Sequence, residues 1–311
     1  MTTAAPPRPS VAVLIPCLDE ERGIAGVVAE FRRELPEARI VVVDNGSSDA
    51  TPRVAAEAGA EVWREPRRGK GRAITTAFAR LEDDVVIMVD GDGSYPAEGA
   101  RRLLEEYLRD PADMITGLRT PETATSAFRP FHRFGGAAFA WVFRLVFQYE
   151  PGDLFSGLRL FSKRFYKNVP LLFRGFELET ELTVQAVEKG FRLAEVAVPF
   201  RERALGSASK LRTVHDGVRI LRLLFVLSRD YRPLVFFGSV ALVFFVAGLA
   251  AGSLPVYEYY RTRLVGRFPL AILAAGLMNL SLFTLLTGVM LESGLRHRRE
   301  SYQIRLRNYR A

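Results

Sequence analysis

The sequence predicts an α/β domain built on a doubly wound, mostly parallel sheet, followed by a basic amphipathic helix and a two-helix transmembrane hairpin. Three observations carry this. Short β-branched runs alternate with helical patterns from residue 11 to about 200. Residues 234–254 and 268–291 contain no charged side chain. Arginines and lysines gather before the first of these runs and after the second.

Residues 1–10, MTTAAPPRPS, are Pro-rich and lack an apolar run, so they read as a flexible tail and not as a signal peptide. The first strand is VAVLI (11–15). IVVV (40–43), VVIMV (85–89) and EVAVPF (195–200) follow. Their near-continuous apolarity predicts strands covered on both faces. Helices are predicted near 20–34, 51–58, 71–81, 97–108 and 177–189. In such a sheet, ligands bind beyond the carboxyl ends of the strands.

The domain so predicted spans 11–212. Residues 213–232 follow as a juxtamembrane segment. Within it Val214, Val218, Leu221, Leu224 and Phe225 share an apolar face, with Arg219, Arg222 and Arg229 on the flank. That pattern predicts a helix lying in the interface of a bilayer with anionic headgroups, with an ordinary core helix of the preceding domain as the alternative. The hairpin occupies 233–295, with spans near 234–254 and 268–291. Each run is long enough to cross a hydrocarbon core of about 30 Å.

Residues 201–232 hold eight basic residues, the connecting loop only Arg261, Arg263 and Arg267, and the tail 296–311 six more. This asymmetry predicts a cell-membrane protein with two spans, its α/β domain and both termini cytoplasmic. Two spans are too few for an ordinary transport path.

The 311 residues suit one or two domains. Hydrophobic residues at 49% and charged residues at 25% exclude wholesale disorder. A single cysteine, Cys17, excludes an intramolecular disulfide and a multi-cysteine zinc site. Three histidines make a His-rich metal cluster a poor reading. A net charge of +8 fits nucleic acid, anionic lipid or a phosphorylated substrate. Because the basic residues flank the spans, lipid headgroups are the simpler partner, and no nucleic acid is expected.

Five segments carry chemistry. In IVVVDNGSSDAT a strand delivers Asp44 to its carboxyl end, where it can accept from a base imide or ribose hydroxyls; a strand–turn–helix cap would look the same. In VIMVDGDGSYP, Asp90 and Asp92 point the same way from extended chain. Two adjacent carboxylates fit a hard divalent ion, Mg²⁺ or Mn²⁺, that also holds diphosphate oxygens. Pro16-Cys17-Leu18-Asp19-Glu20 follows the first strand and shares the edge with Asp44 and Asp90. Gly69-Lys70-Gly71 allows close backbone approach and supplies charge, but is not a P-loop. In FELETELT, Glu177 and Glu181 can share a helix face. Beyond it, Arg201, Arg203, Gly206, Ser207, Ser209 and Lys210 form a basic, hydroxyl-rich loop suited to phosphate or to anionic lipid.

These segments resemble family 2 glycosyltransferases of the GT-A fold, in the polyprenyl- or dolichyl-phosphate sugar synthase branch. The matching stretches are PCLDE, VVVDNGSSDAT, RRGKGRA, VDGDGSYP, DLFSGLRLFSK, GFELETELTVQA and RERALGSASKLRTVHDGVRIL, from about 11 to 221. The resemblance implies that Pro16, Asp19, Glu20, Asp44, Gly69, Lys70 and Asp90 contact the nucleotide, and that Asp90 and Asp92 hold the metal. It implies acceptor or phosphate binding by Ser156, Gly157, Arg159, Arg203, Ser209 and Lys210, with Asp92, Asp153 and Arg203 carrying the catalysis. Two departures stand out. Gly91 and Ser94 stand where many relatives have Ala and Gln, and Asp19 stands where Asn is common.

The expected reaction is inverting transfer of a sugar from a nucleotide sugar to a polyprenyl phosphate at the cytoplasmic leaflet. UDP-hexose or UDP-N-acetylhexosamine is favoured by the resemblance, and GDP-mannose stays open. A phosphate acceptor is already anionic near neutral pH and needs no strong general base. One alternative is a hydroxyl acceptor on a glycolipid or polysaccharide. Many such relatives carry a Gln-x-x-Arg-Trp motif, and this chain has no Arg-Trp pair. Another is a non-catalytic nucleotide-binding scaffold, which would tolerate loss of Asp92 and Lys210. A homo-oligomer is compatible with the resemblance.

Overall fold

A computed structural model describes residues 8–119, 143–144, 147–171, 178–201, 225–226 and 228–308. The chain divides into two units, Met1–Ala140 with Tyr149–Arg212, and Trp141–Gln148 with Thr213–Ala311.

In the first unit the strands are β1 (Val11–Cys17), β2 (Arg39–Asp44), β3 (Glu61–Arg64), β4 (Val85–Met88), β5 (Met114–Arg119), β6 (Arg159–Ser162) and β7 (Leu193–Val198). The helices are α1 (Ile24–Glu34), α2 (Thr51–Glu57), α3 (Lys70–Arg80), α4 (Ala97–Arg109), α5 (Lys163–Tyr166) and α6 (Leu178–Glu188).

The sheet order is β3-β2-β1-β4-β6-β5-β7. The predicted continuous apolar runs are its central strands: β1 pairs in parallel with β2 and with β4. Helices cover both faces, as those runs require. Ile24, Val27, Val28 and Phe31 form the buried stripe of α1 at helical spacing. They join Val13, Ile15, Val42 and Ile87 of the sheet and Ala100 and Leu103 of α4 in one core cluster. On α3 the buried residues Ala73, Ile74, Ala77 and Phe78 recur at the same spacing, and Phe78 meets Phe161 of β6 edge to face.

The sheet is mixed, not wholly parallel. β6 runs antiparallel to both β4 and β5, while β5 and β7 are parallel. β3, β5 and β6 add three strands to the four read from the sequence.

The second unit contains α7 (Pro233–Thr262) and α8 (Phe268–Asn308). Both are long and apolar enough to cross a membrane. They form an antiparallel pair along a seam of small residues. Ala241, Gly248 and Pro255 are buried positions of α7 and Ala274, Ser281 and Gly288 buried positions of α8; Ser281 lies against Ala241, Ala274 against Gly248, and Gly288 against Pro233 and Leu234. The Ser281 hydroxyl donates to the Ala241 carbonyl at 2.8 Å, and Gly248 faces Met278 and the Ala274 carbonyl. A seven-residue repeat keeps one face of each helix on its partner, and small residues let the backbones approach.

One expectation changes here. The basic stretch from 296 is helical: α8 continues without a break to Asn308. Phe143 and Phe147 are buried in the second unit, where Phe147 meets Tyr231. Most of the predicted interfacial helix, 213–224, lies outside the described residues.

Candidate active site at the carboxyl edge of the sheet

Because β1, β2 and β4 are parallel, their carboxyl ends share one edge. Cys17 closes β1 in register with Asp44 at the end of β2. Asp90 follows β4 by two residues. The buried Cys17 thiol records how tightly the acids converge: burial first, then Glu20, Asp90, Asp44 and Asp92, push its pKa well above the usual thiol range. A Cβ at Gly91 would stand 2.6 Å from Cys17 Sγ. Only glycine therefore lets the Asp90–Asp92 turn pass so close to β1.

Each acid is fixed by short-range donors. Asp44 Oδ1 accepts from the Ser47 amide at 3.0 Å, closing an Asx turn. Asp92 Oδ1 accepts from the Ser94 amide at 3.0 Å and the Ser94 hydroxyl at 2.5 Å. Asp19 is in the left-handed region, φ 56°, a conformation Asp tolerates better than most residues. Its Oδ1 accepts from the Ser48 amide at 2.7 Å and the Ser48 hydroxyl at 3.0 Å. This joins the loops after β1 and β2.

Lys70, at the first turn of α3, donates to Asp90 Oδ1 and to Glu179 Oε1, each at 2.6 Å. Burial opposes its charge, but the Asp90 and Glu179 carboxylates outweigh this and hold the ammonium above its ordinary pKa. Asn45 sets the loop before α3. It donates to the Glu65 and Arg67 carbonyls at 3.1 and 2.9 Å, and its Oδ1 accepts from the Gly69 amide at 2.6 Å.

The segment Asp153–Arg159 approaches from the other side. Gly157 sits against the Asp90 carboxylate, and its amide donates to the Tyr95 hydroxyl at 2.9 Å. Asp153 accepts a bidentate pair from Arg119, at 2.6 and 2.8 Å. Burial works against the Arg119 charge, and its bonds to Asp153 overcome that to hold its pKa above the usual guanidinium value. Arg119 also lies over the Phe200 ring at 5.3 Å.

Arg159 departs from its expected role. It is 0% exposed, and its guanidinium donates to the Ser156 carbonyl at 3.1 Å, the Leu154 carbonyl at 2.8 Å and the Thr183 hydroxyl at 2.8 Å. It pins the Leu154–Gly157 loop from behind. Ser156 is likewise fully buried, with its hydroxyl 3.4 Å from that of Tyr95. Asp153 is spent on Arg119 and on the Phe155 amide.

The structure thus brings Glu20, Asp44, Gly69, Lys70, Asp90 and Asp92 to one edge and places Gly157 beside them. Arg203, Ser209, Lys210 and Glu177 lie outside the described residues. Sequence reasoning missed Glu179 as the second partner of Lys70, Arg119 as the clamp on Asp153, and Tyr95 as the support of Gly157. The motif GFELETELT signalled a site near Glu179, but not which of its three acids faces Lys70.

The donor set fits a hard cation. Asp90 and Asp92 offer carboxylate oxygens, and the nearby sulfur is kept as a thiol by burial and by the acids around it. No group of three or more His, Cys, Asp or Glu side chains forms a cage among the described residues. A two-carboxylate site leaves the remaining coordination to water and ligand oxygens, as Mg²⁺ commonly requires.

Comparison with known proteins bears on the family and the fold. The family described as Glycosyl transferase family 2 matches residues 12–168. Glycosyltransferase AglJ of Haloferax volcanii is 30% identical over 80% of this chain and 82% of its own. A dolichyl-phosphate hexose transferase of the same organism is 29% identical over 62% of this chain and 84% of its own. Among solved structures, glucosyl-3-phosphoglycerate synthase from Mycobacterium tuberculosis, in complex with Mn²⁺ and UDP-glucose, superposes with a TM-score of 0.58. It is 20% identical and covers 71% of this chain and 79% of its own.

Proposed function

Because the chain belongs to glycosyl transferase family 2, we propose that it transfers a hexose from a UDP-sugar to a polyprenyl phosphate at a membrane surface, with inversion. The observation that carries the proposal is the convergence of Asp44, Asp90, Asp92 and Lys70 at the carboxyl edge of the sheet. The similarity to a dolichyl-phosphate hexose transferase supports the acceptor class. The likeness to a fold that holds Mn²⁺ and UDP-glucose supports a metal-dependent nucleotide site.

In this reading Asp44 receives donors from the base or ribose, and Gly69 and Lys70 close over the diphosphate. Asp90 and Asp92 hold Mg²⁺ or Mn²⁺. When bound, the metal neutralises charge on the departing diphosphate. An oxygen of the acceptor phosphate forms the new bond to the anomeric carbon. The bond from that carbon to the diphosphate breaks, and its electron pair leaves with the nucleotide. The nucleophile arrives as an anion, so no proton has to be removed. The double engagement of Asp153 by Arg119 is consistent with this, since both its oxygens are already committed. Arg203, Ser209 and Lys210 are assigned to the acceptor phosphate. Alignment and charge stabilisation then supply the rate enhancement.

The two apolar helices fit a membrane anchor. The basic residues of 201–232 and of 296–310 support an orientation with both ends of the hairpin, and the catalytic unit, on the cytoplasmic side.

A radiolabelled transfer assay in membranes tests this. Nucleotide sugars are offered with polyprenyl phosphate, with Mg²⁺ or Mn²⁺ and then with chelator. A lipid-extractable, mild-acid-labile product that disappears on chelation is expected, with UDP-hexose as donor. An N-acetylhexosamine or mannose product would revise the donor. Label appearing only on hydroxyl acceptors would overturn the acceptor assignment.

A further inference from the structure

We infer that Lys70 is a built-in counter-ion for the metal-binding carboxylate Asp90, and that Glu179 is the positioning residue that holds Lys70 ready to give Asp90 up. This rests on the metal reading of Asp90 and Asp92. The geometry is a three-member bridge: one ammonium between two carboxylates, each 2.6 Å away. Lys70 comes from the first turn of α3, Asp90 from the end of β4 and Glu179 from the first turn of α6.

The two carboxylates differ in what they can do. The Glu179 side chain is only 7% exposed and that of Asp90 is 30% exposed. A buried carboxylate keeps its charge only with a partner. Glu179 therefore depends on Lys70, its hydrogen-bonded cation, more than Asp90 does, provided another cation reaches Asp90. Two acids share one ammonium, so the trio carries a net negative charge that a divalent cation can satisfy. When a cation occupies Asp90 and Asp92, Lys70 keeps its bond to Glu179 and presents its remaining donors to the diphosphate. An ammonium has three donors and suits such an exchange. Glu179 stops Lys70 from following Asp90 and competing with the metal.

Mn²⁺ binding to purified full-length protein, without donor or acceptor, separates the roles. It is read from the free Mn²⁺ resonance in titrations. Glu179→Gln leaves Lys70 with Asp90 as its sole charged partner and should weaken Mn²⁺ binding by on the order of tenfold. Lys70→Met removes the competitor and should tighten Mn²⁺ binding while weakening UDP binding. The double variant should recover Mn²⁺ affinity to at least the wild-type level, a reversal that mere structural damage does not produce. Equal Mn²⁺ affinity in all four proteins, or further weakening in the double variant, would overturn the counter-ion role. Asp92→Asn is the separate arm. If it leaves Mn²⁺ binding unchanged, the metal reading itself fails, whatever Glu179 and Lys70 do.

Discussion

Gly157 and Asp90 leave no room for a side chain between them: a Cβ on Gly157 would stand 2.1 Å from Asp90 Oδ2 and 2.8 Å from its Cγ. The loop that carries Gly157 is in turn held by Tyr95 and Arg159. Asp90 is thus boxed between Lys70 on one side and a bare stretch of backbone on the other.

Gly157→Ala must push the Asp90 carboxylate aside. Overpacking of this kind costs about 1–3 kcal/mol. The variant should melt at a lower temperature in detergent and lose at least about tenfold in transfer rate, since in the proposed reading the metal and Lys70 depend on the same carboxylate. Thermal unfolding and the transfer assay check this together. Unchanged turnover in Gly157→Ala would mean that the position of Asp90 is not critical.

Asp92→Asn should lower the transfer rate by roughly 10²–10³ through lost stabilisation of the leaving diphosphate. Ser94→Ala removes one of the two donors to Asp92 Oδ1 and keeps the amide. Its effect should be smaller, roughly tenfold or less. Initial rates at saturating Mn²⁺ distinguish the two, with a melting curve as the folding control.

Glu65 gives a pH signature. Arg67, through paired hydrogen bonds, and then the Thr76 hydroxyl hold its carboxyl well below the ordinary range. The folded state therefore binds this proton less readily than the unfolded chain. The stabilisation is full above the unfolded pKa of about 4.5 and fades as pH falls below it. Glu65→Gln should be less stable than wild type near neutral pH, and the gap should narrow on acidification below that point. Melting temperatures of both proteins from pH 7 to pH 3.5 measure it. A gap that widens in acid would contradict the assignment.

The helix pair offers a contrast within one element. A Cβ at Gly288 would meet Phe237 Cβ at 2.9 Å, whereas one at Gly276 would meet nothing within 4 Å. Gly288→Leu should force α7 and α8 apart and destabilise the pair by about 1–3 kcal/mol. Gly276→Leu should be nearly neutral. Thermal unfolding of the two variants in the same detergent decides it.

The parts of this molecule that were legible in the sequence are those where one residue pattern has one physical meaning. β1, β2 and β4 are short apolar runs rich in β-branched residues, the pattern of a strand covered on both faces. Asp44 and Asp90 were legible because each follows such a run. β6 was not, since RLFS opens with an arginine that reads as surface and is in fact wholly buried against carbonyls. β5 carries Thr116 and Gly117, and β3 has a charge at each end of only four residues. The Lys70–Glu179 pair joins residues 109 apart, and no local spacing encodes a contact of that kind. α8 was cut short in the reading because its composition changes at 292–299, although the helical backbone does not.

The hairpin seam has a consequence for how this part of the chain can change length. Its contacts pair Leu234 with Gly288, Ala241 with Ser281 and Gly248 with Ala274, each step moving seven residues along both helices in opposite directions. Losing one residue from either helix turns everything beyond it by about 100° and brings bulky Leu or Phe side chains to the seam. Losing seven from each helix restores the register and shortens the hairpin by about 10 Å. Insertions and deletions within the seam are therefore quantised: its length changes without loss of register in heptad steps taken on both helices.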